Sequence, residues 1–371
     1  MTSPNALRVL DKLGLCDTLR TKGFNFDESY FYTEDHKVLD TYWFGNQELY
    51  GYRGLRIYRS ILLDTLRNAA EERGIQIMYG KSFASIVSDD VETGVEFAFK
   101  DGTHAHADLL VGADGIHSKV RGSMYGAQAP QPQFMGFIGV TSAVPRTSLR
   151  LPTPDYAMPA TILTKKGNFV LAPQDVDGSE IFIGRQFRTH DRDRKGWDDL
   201  VADKKQLLAM IRSDAAAFPD LAQSALEGVV TEKLNIWPFY SVPKLDSWTS
   251  TTRRIVLVGD AAHALPPTTG GGANQAFEDS YTLGKLLAKL SPEWRLEKVM
   301  PLWFTYRSGR VDGLRKLTKM MDNRRLPLEE QAELPESEVY HGEGPSQNAW
   351  LYGPEVGEQC LEYVRQGLLK R

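Results

Sequence analysis

A chain of 371 residues, 42% hydrophobic and 25% charged, is large enough for one big or two ordinary domains around a substantial core. Its 44 Lys and Arg against 48 Asp and Glu leave a net charge of −4, so nothing in the charge balance favours nucleic acid or an anionic membrane as partner. The two cysteines, Cys16 and Cys360, lie far apart without metal-ligand spacing and read as reduced thiols.

Met1 to Leu15 predicts a short amphipathic helix, with Ser3 as N-cap, Pro4 at the first helical position and Gly14 as the stop. From Asn25 to Tyr52 aromatics mix with charges, and the runs Tyr30-Phe31-Tyr32 and Leu39 to Phe44 predict a β-hairpin. Ile57 to Leu66 opens a helix that sets Ile61, Leu62, Thr65, Leu66 and Ala69 on one face, with Arg59 near its start. Gly74 to Tyr79 predicts a strand. Val91 to Phe99 alternates, Lys100-Asp101-Gly102 supplies a hairpin turn, and Ala105 to Val111 is the expected return strand. That strand runs into Gly112-Ala113-Asp114-Gly115 and a helix capped by Ser118 that carries Lys119 and Arg121.

Val140 to Phe187 holds several short alternating segments, the pattern of an antiparallel sheet, with Arg185 on one strand. Leu200 to Phe218 predicts a helix, and Leu234 to Pro243 an extended segment bearing Trp237 and Tyr240. Trp303 to Met321 predicts a long helix whose many charges are expected to be solvated, and Val356 to Leu369 a final helix.

Between them lies Arg254 to Asp279, the most informative stretch. Ile255 to Val258 is an apolar, β-branched run suited to a buried strand. Gly259-Asp260 closes it with a carboxylate at the strand's C-terminal end, where open α/β sheets place ligands. Pro266-Pro267 imposes extended backbone, Gly270 to Gly272 permit close approach, and from Ala273 the chain turns helical. A glycine loop feeding a helix N-terminus suits a phosphate or an anionic ring edge, because free N–H groups and the helix dipole converge there. His263 reads as structural rather than as a base, and no metal-ligand constellation is present.

From Gly259-Asp260-Ala261-Ala262-His263 through Gly272-Ala273-Asn274-Gln275, the stretch resembles the second FAD motif of the flavoprotein aromatic hydroxylases, the single-component FAD-dependent monooxygenases. Asp114-Gly115, lying between Arg59 and the Gly-Asp turn in the family's order, resembles its Asp-Gly motif. Gln347 to Gly353 resembles a Trp-Leu-Tyr-Gly signature of fungal members. The resemblance implies an α/β fold: a FAD-binding Rossmann-like domain (1–24, 53–125 and 245–320), an inserted antiparallel-sheet substrate domain (25–52 and 126–244) and a C-terminal helical segment (321–371). It implies that Asp260 meets the ribitol of FAD and that Gly272 and Ala273 meet the pyrimidine side of the isoalloxazine. Arg59 would serve the FAD pyrophosphate, and Asp114-Gly115 both that pyrophosphate and NAD(P)H. Arg185, through an ion pair, and Tyr240, through its phenol, are the candidates for contact with substrate.

The reaction so implied has NAD(P)H reduce FAD, O2 add to the reduced flavin at C4a, and one oxygen atom pass to a small aromatic or polyketide- or terpenoid-derived metabolite. No nucleic-acid partner and no membrane span are expected, in a cytoplasmic protein whose oligomeric state the sequence leaves open. The family's Gly-x-Gly-x-x-Gly unit, which cradles the ADP half of FAD, has no counterpart near the start, so the fold is expected to be N-terminally truncated. A late-starting gene model explains this. The alternative is a native chain without the cradle, a cofactor-free cyclase or inactive binding protein built on the same fold.

Overall fold

The computed structural model describes residues 1–370. The chain divides into two compact units, one made of Met1–Thr65, Phe134–Phe239 and Leu317–Gly353, the other of Leu66–Gln133, Tyr240–Lys316 and the chain from Pro354.

In the first unit the alternating segments pair into a seven-stranded sheet, in the spatial order Asn235–Ser241, Gln133–Pro145, Glu180–Arg188, Gly167–Pro173, Ala160–Thr164, Glu28–Tyr32, Val38–Trp43. The predicted hairpin forms, with Glu28–Tyr32 antiparallel to Val38–Trp43. Glu28–Tyr32 joins Ala160–Thr164 in parallel, a pairing between distant segments that local patterning does not encode. One face of the sheet buries Ile138, Val140, Ile162, Phe169, Leu171, Ile181 and Ile183 against Leu200, Leu207, Ile211, Leu221 and Ala225. Those partners come from the helices Arg194–Ala202, Lys204–Arg212 and Asp220–Glu227. Each fully buried Leu or Ile contributes about 1.5–3 kcal/mol, so this layer is what holds the unit together. The helix predicted over 200–218 is broken at Asp203, whose carboxylate accepts from the Gln206 N–H and restarts the chain as a second helix. The N-terminal helix, Pro4–Lys12, begins after Ser3 and stops before Gly14 at φ +74°. It belongs to this unit, whereas residues 1–24 were expected with the cofactor domain.

In the second unit Ile255–Leu257 is buried at every residue and pairs in parallel with Leu110–Gly112. Beside it Phe83–Asp90, Gly94–Phe99 and His104–Ala107 form an antiparallel sheet. The return strand expected over Ala105 to Val111 is therefore two strands: Ala107 ends the antiparallel ladder and Leu110 begins the parallel one. Val256, Leu257, Trp248, Leu286, Val299, Trp303 and Val364 meet in one core.

Two further expectations fail here. Gly74 to Tyr79 is not a strand; Ile75, Ile77, Met78 and Tyr79 are exposed. Alternation makes a segment able to pair, but only a neighbouring backbone turns it into a strand, and none lies alongside. The charges of the long helix, Leu296–Arg324, are not all solvated: Arg307 is completely buried. Among the described residues no helix is long and apolar enough to cross a membrane.

Candidate cofactor site

The site is built where Ile255–Leu257 ends. Val258 N–H still donates to Gly112 O (3.1 Å), so the two parallel strands release the chain side by side. Gly259 then turns it at φ +58°, ψ −141°, a conformation open to glycine alone. A Cβ on Gly259 would lie 3.0 Å from the Cβ of Ala276, so the missing side chain also lets the turn rest against the Gly272–Leu287 helix. Asp260 emerges exposed at the head of the short helix Asp260–His263, while Ala261, Ala262 and His263 are buried.

Pro267–Thr269 forms a 3-10 turn closed by Gly270 at φ +64°, and the chain enters the Gly272–Leu287 helix. Gly271 is pressed on Leu314, where a Cβ would meet Cδ2 at 2.8 Å. Gly272 is different. A Cβ there would find only Asp260 Oδ1 within 4 Å, at 3.7 Å. The Asp260 carboxylate thus stands beside open space at a helix N-terminus whose first-turn N–H groups have no acceptor within the helix.

The Asp-Gly turn lies in the same unit. Asp114 uses its carboxylate locally: it accepts from Ser118 Oγ, from Lys119 N–H (2.7 Å) and from Val120 N–H (3.2 Å), while Ser118 Oγ accepts from Arg121 N–H (2.9 Å). Gly115 follows at φ +80°. Arg121 was legible only as a charge on a capped helix, yet it is 2% exposed and ties the two turns together. Its guanidinium donates to Ala261 O (2.7 Å), Ile116 O (2.6 Å) and Pro130 O (3.1 Å). Next to it a cavity of about 400 Å³ is lined by His117, Ser118, Lys119, Arg121 and Gln131, among others. Tyr240, half-buried, sets its ring edge-on to His117 at 6.1 Å.

Asp114, Gly115, Tyr240, Asp260, Gly272 and Ala273 therefore share one unit, and Arg59 and Arg185 belong to the other. Arg59 is exposed at the first position of its helix, with its guanidinium 5.3 Å from the centre of the Trp237 ring. Arg185 is 5% exposed. It donates to Ile211 O (2.9 Å) and Ser213 O (2.5 Å) at the end of the Lys204–Arg212 helix and lies over Phe187 and Phe218. Both bonds come from Nη1 and close that helix, so this nitrogen is not left for the ion pair with substrate that was expected.

The donor set fits the flavin-bearing part of FAD: an exposed carboxylate for hydroxyls, open space beside Gly272 for a ring edge, and helix N–H groups for an electron-rich group. The fold is an α/β fold with a carboxylate at a strand end beside a glycine-fed helix N-terminus. The chain belongs to the FAD binding domain family, whose model matches residues 1–312. It is 29% identical over 255 residues to the FAD-dependent monooxygenase sor5 of Hypocrea jecorina (strain QM6a), covering 65% of this chain and 55% of that protein. To the 6-methylsalicylate 1-monooxygenase atA of Aspergillus terreus (strain NIH 2624 / FGSC A1156) it is 27% identical over 221 residues, 57% of this chain and 47% of the other. The chain thus spans about half the length of these curated relatives. The crystal structure of CtdE in complex with FAD and a substrate matches the fold with a TM-score of 0.78 at 20% identity, over 100% of this chain and 89% of that one. The expected α/β, aromatic-hydroxylase-type fold and the expected FAD cofactor both hold.

Proposed function

We propose that this chain is the body of an FAD-dependent monooxygenase that uses NAD(P)H and O2 to insert one oxygen atom into a small aromatic or polyketide- or terpenoid-derived metabolite, in secondary-metabolite biosynthesis. The observation that carries it is the Asp260 carboxylate beside the open face of Gly272 at a helix N-terminus. Similarity to a 6-methylsalicylate 1-monooxygenase supports a phenolic acid as the substrate class. FAD, when bound, supplies the redox chemistry, taking up a hydride and activating dioxygen.

The chain's own residues bind and orient. Asp260 would accept hydrogen bonds from ribityl hydroxyls, and the N–H groups of Gly272 and Ala273 would hold the ring's pyrimidine edge. The dipole of the Gly272–Leu287 helix would favour an electron-rich group at that N-terminus. Pro266 and Pro267 stiffen the loop. Asp114 and Gly115 shape the turn that serves the pyrophosphate and NAD(P)H, Arg59 offers a guanidinium to phosphate oxygens, and Tyr240 hydrogen-bonds a substrate oxygen. Arg185 has no part in this scheme.

The purified chain titrated with FAD should quench flavin fluorescence with saturation, and Asp260→Ala should lose flavin uptake while remaining folded. A phenolic acid should stimulate NADPH oxidation by the loaded protein. A folded chain that takes up no flavin, both as it stands and with an upstream Gly-x-Gly-x-x-Gly unit added, would reject the proposal and favour a cofactor-free descendant of the fold.

A further inference from the structure

Behind the candidate site lies a buried polar array that no part of the chemistry above uses. Glu278 and Asp279 sit in the interior of the Gly272–Leu287 helix, and both are fully buried, as is Arg307 on the long helix. Arg307 Nε donates to Asp279 Oδ1 (2.9 Å), Nη1 to Glu278 Oε2, and Nη2 to Gln275 Oε1 (2.8 Å). Arg310, three residues on, closes a fork on Glu278, Nε to Oε2 at 2.8 Å and Nη2 to Oε1 at 2.7 Å. The remaining oxygen, Asp279 Oδ2, accepts the backbone N–H of Gly259 (2.9 Å) and His263 Nε2 (2.6 Å). Nε2 carries the hydrogen in that bond, because its partner is a carboxylate. The Trp248 ring packs on His263 with centroids 4.8 Å apart.

Such an array is a poor source of stability. Burying charges carries a desolvation penalty that ion pairing only roughly offsets, and apolar residues of equal volume hold a fold as well or better. What it supplies is geometry. Apolar contacts tolerate small slides, whereas a forked guanidinium and a charge-assisted amide bond set both direction and distance. The atoms so held are the ones that matter: Gly259 N–H immediately precedes Asp260, and Gln275 lies three residues into the helix that begins at Gly272.

We infer that Asp279, with Glu278, Arg307 and Arg310, forms a set of positioning residues that clamps the Gly259 turn to the first turn of the Gly272–Leu287 helix, so that Asp260 and the helix N–H groups address one flavin. The clamp is a deduction about backbone spacing, and its link to flavin rests on the proposed function.

The test compares the full chain with Asp279→Asn, which keeps the volume and removes the charge. Two readouts are taken: the Kd for FAD by flavin fluorescence, and cofactor-free hydrogen–deuterium exchange of the peptide containing Gly259–His263. A peptide from the Gly94–Phe99 strand of the same unit, whose Val95 is in the shared core, serves as the reference. Loss of a charge-assisted hydrogen bond should weaken FAD binding by about tenfold to a hundredfold. Exchange should quicken at Gly259–His263 with the reference peptide unchanged; a residue that merely stabilised the fold would move both peptides together. Wild-type exchange at Gly259–His263 in the folded variant overturns the clamp, and so does wild-type Kd. Should Asp279→Asn not fold, Arg310→Lys keeps the charge, loses the fork, and should shift both readouts the same way by about threefold to tenfold; unchanged values again overturn it. A wild-type chain that takes up no FAD removes the flavin reading of the site, and exchange alone then decides: faster at Gly259–His263 keeps the clamp, unchanged exchange removes it.

Discussion

Replacing Gly272 by alanine separates what the fold needs from what a cofactor needs. Gly272 heads a 16-residue helix, and its φ is not in the left-handed region. A methyl built there meets only Asp260 Oδ1, at 3.7 Å, which is ordinary van der Waals contact. Alanine is favoured over glycine in helices by up to about 1 kcal/mol, so the unliganded variant should be as stable as wild type or slightly more so. The same methyl fills the space a flat ring would enter. Pushing a ring back far enough to lose one good N–H hydrogen bond corresponds to about 1 kcal/mol or more, so FAD binding should weaken by roughly fivefold to tenfold or beyond. Urea unfolding without cofactor and FAD titration by fluorescence read the two effects separately. A lowered urea midpoint would show that the space is not open, and an unchanged FAD Kd would show that the flavin does not approach Gly272; either result refutes the reasoning.

The neighbouring glycines behave differently. Gly259→Ala faces both a glycine-only backbone and a Cβ at 3.0 Å, and should lose about 2–4 kcal/mol in urea unfolding; a loss below about 1 kcal/mol would contradict the geometry. Arg185→Met leaves the Ile211 and Ser213 carbonyls without their donor and should destabilise the protein by about 2–4 kcal/mol with the substrate-stimulated NADPH oxidation of the folded fraction unchanged, whereas an Arg185 that contacts substrate would lose that stimulation. Burial pushes the Asp279 carboxyl up, but His263 and Arg307 outweigh it and hold the group lowered from 3.8 to about 2. A depressed folded value gives stability that is complete above the unfolded value and lost as pH falls through the folded one. Wild type should therefore lose stability between about pH 4 and pH 2 more steeply than Asp279→Asn, and parallel urea midpoints across that window would count against the pairing.

Much of the site was legible because its signals are local. The Ile255–Leu257 strand, the Gly259-Asp260 pair that ends it and the helix that follows the glycines each follow from a few adjacent residues, and all of them are found where their order placed them. The same holds for Ser118, whose hydroxyl caps the helix three residues ahead, and for the hairpin at 28–43. Long charged side chains were the weak point. Arg185, Arg307 and Arg121 look on paper like any surface arginine, and each is buried on carbonyls or carboxylates from elsewhere in the chain.

By itself the amino-acid order determined the turns, the caps and the strand–carboxylate–glycine–helix sequence of the candidate site, because those depend on steric and hydrogen-bonding relations within a few residues. Only the tertiary structure decided which segments pair and which charges are dry. Gly74 to Tyr79 has the alternation of a strand and no ladder, while Glu28–Tyr32 gains a parallel partner from Ala160–Thr164. Pairing and desolvation are properties of what arrives alongside, and a residue's own neighbours in sequence do not specify that.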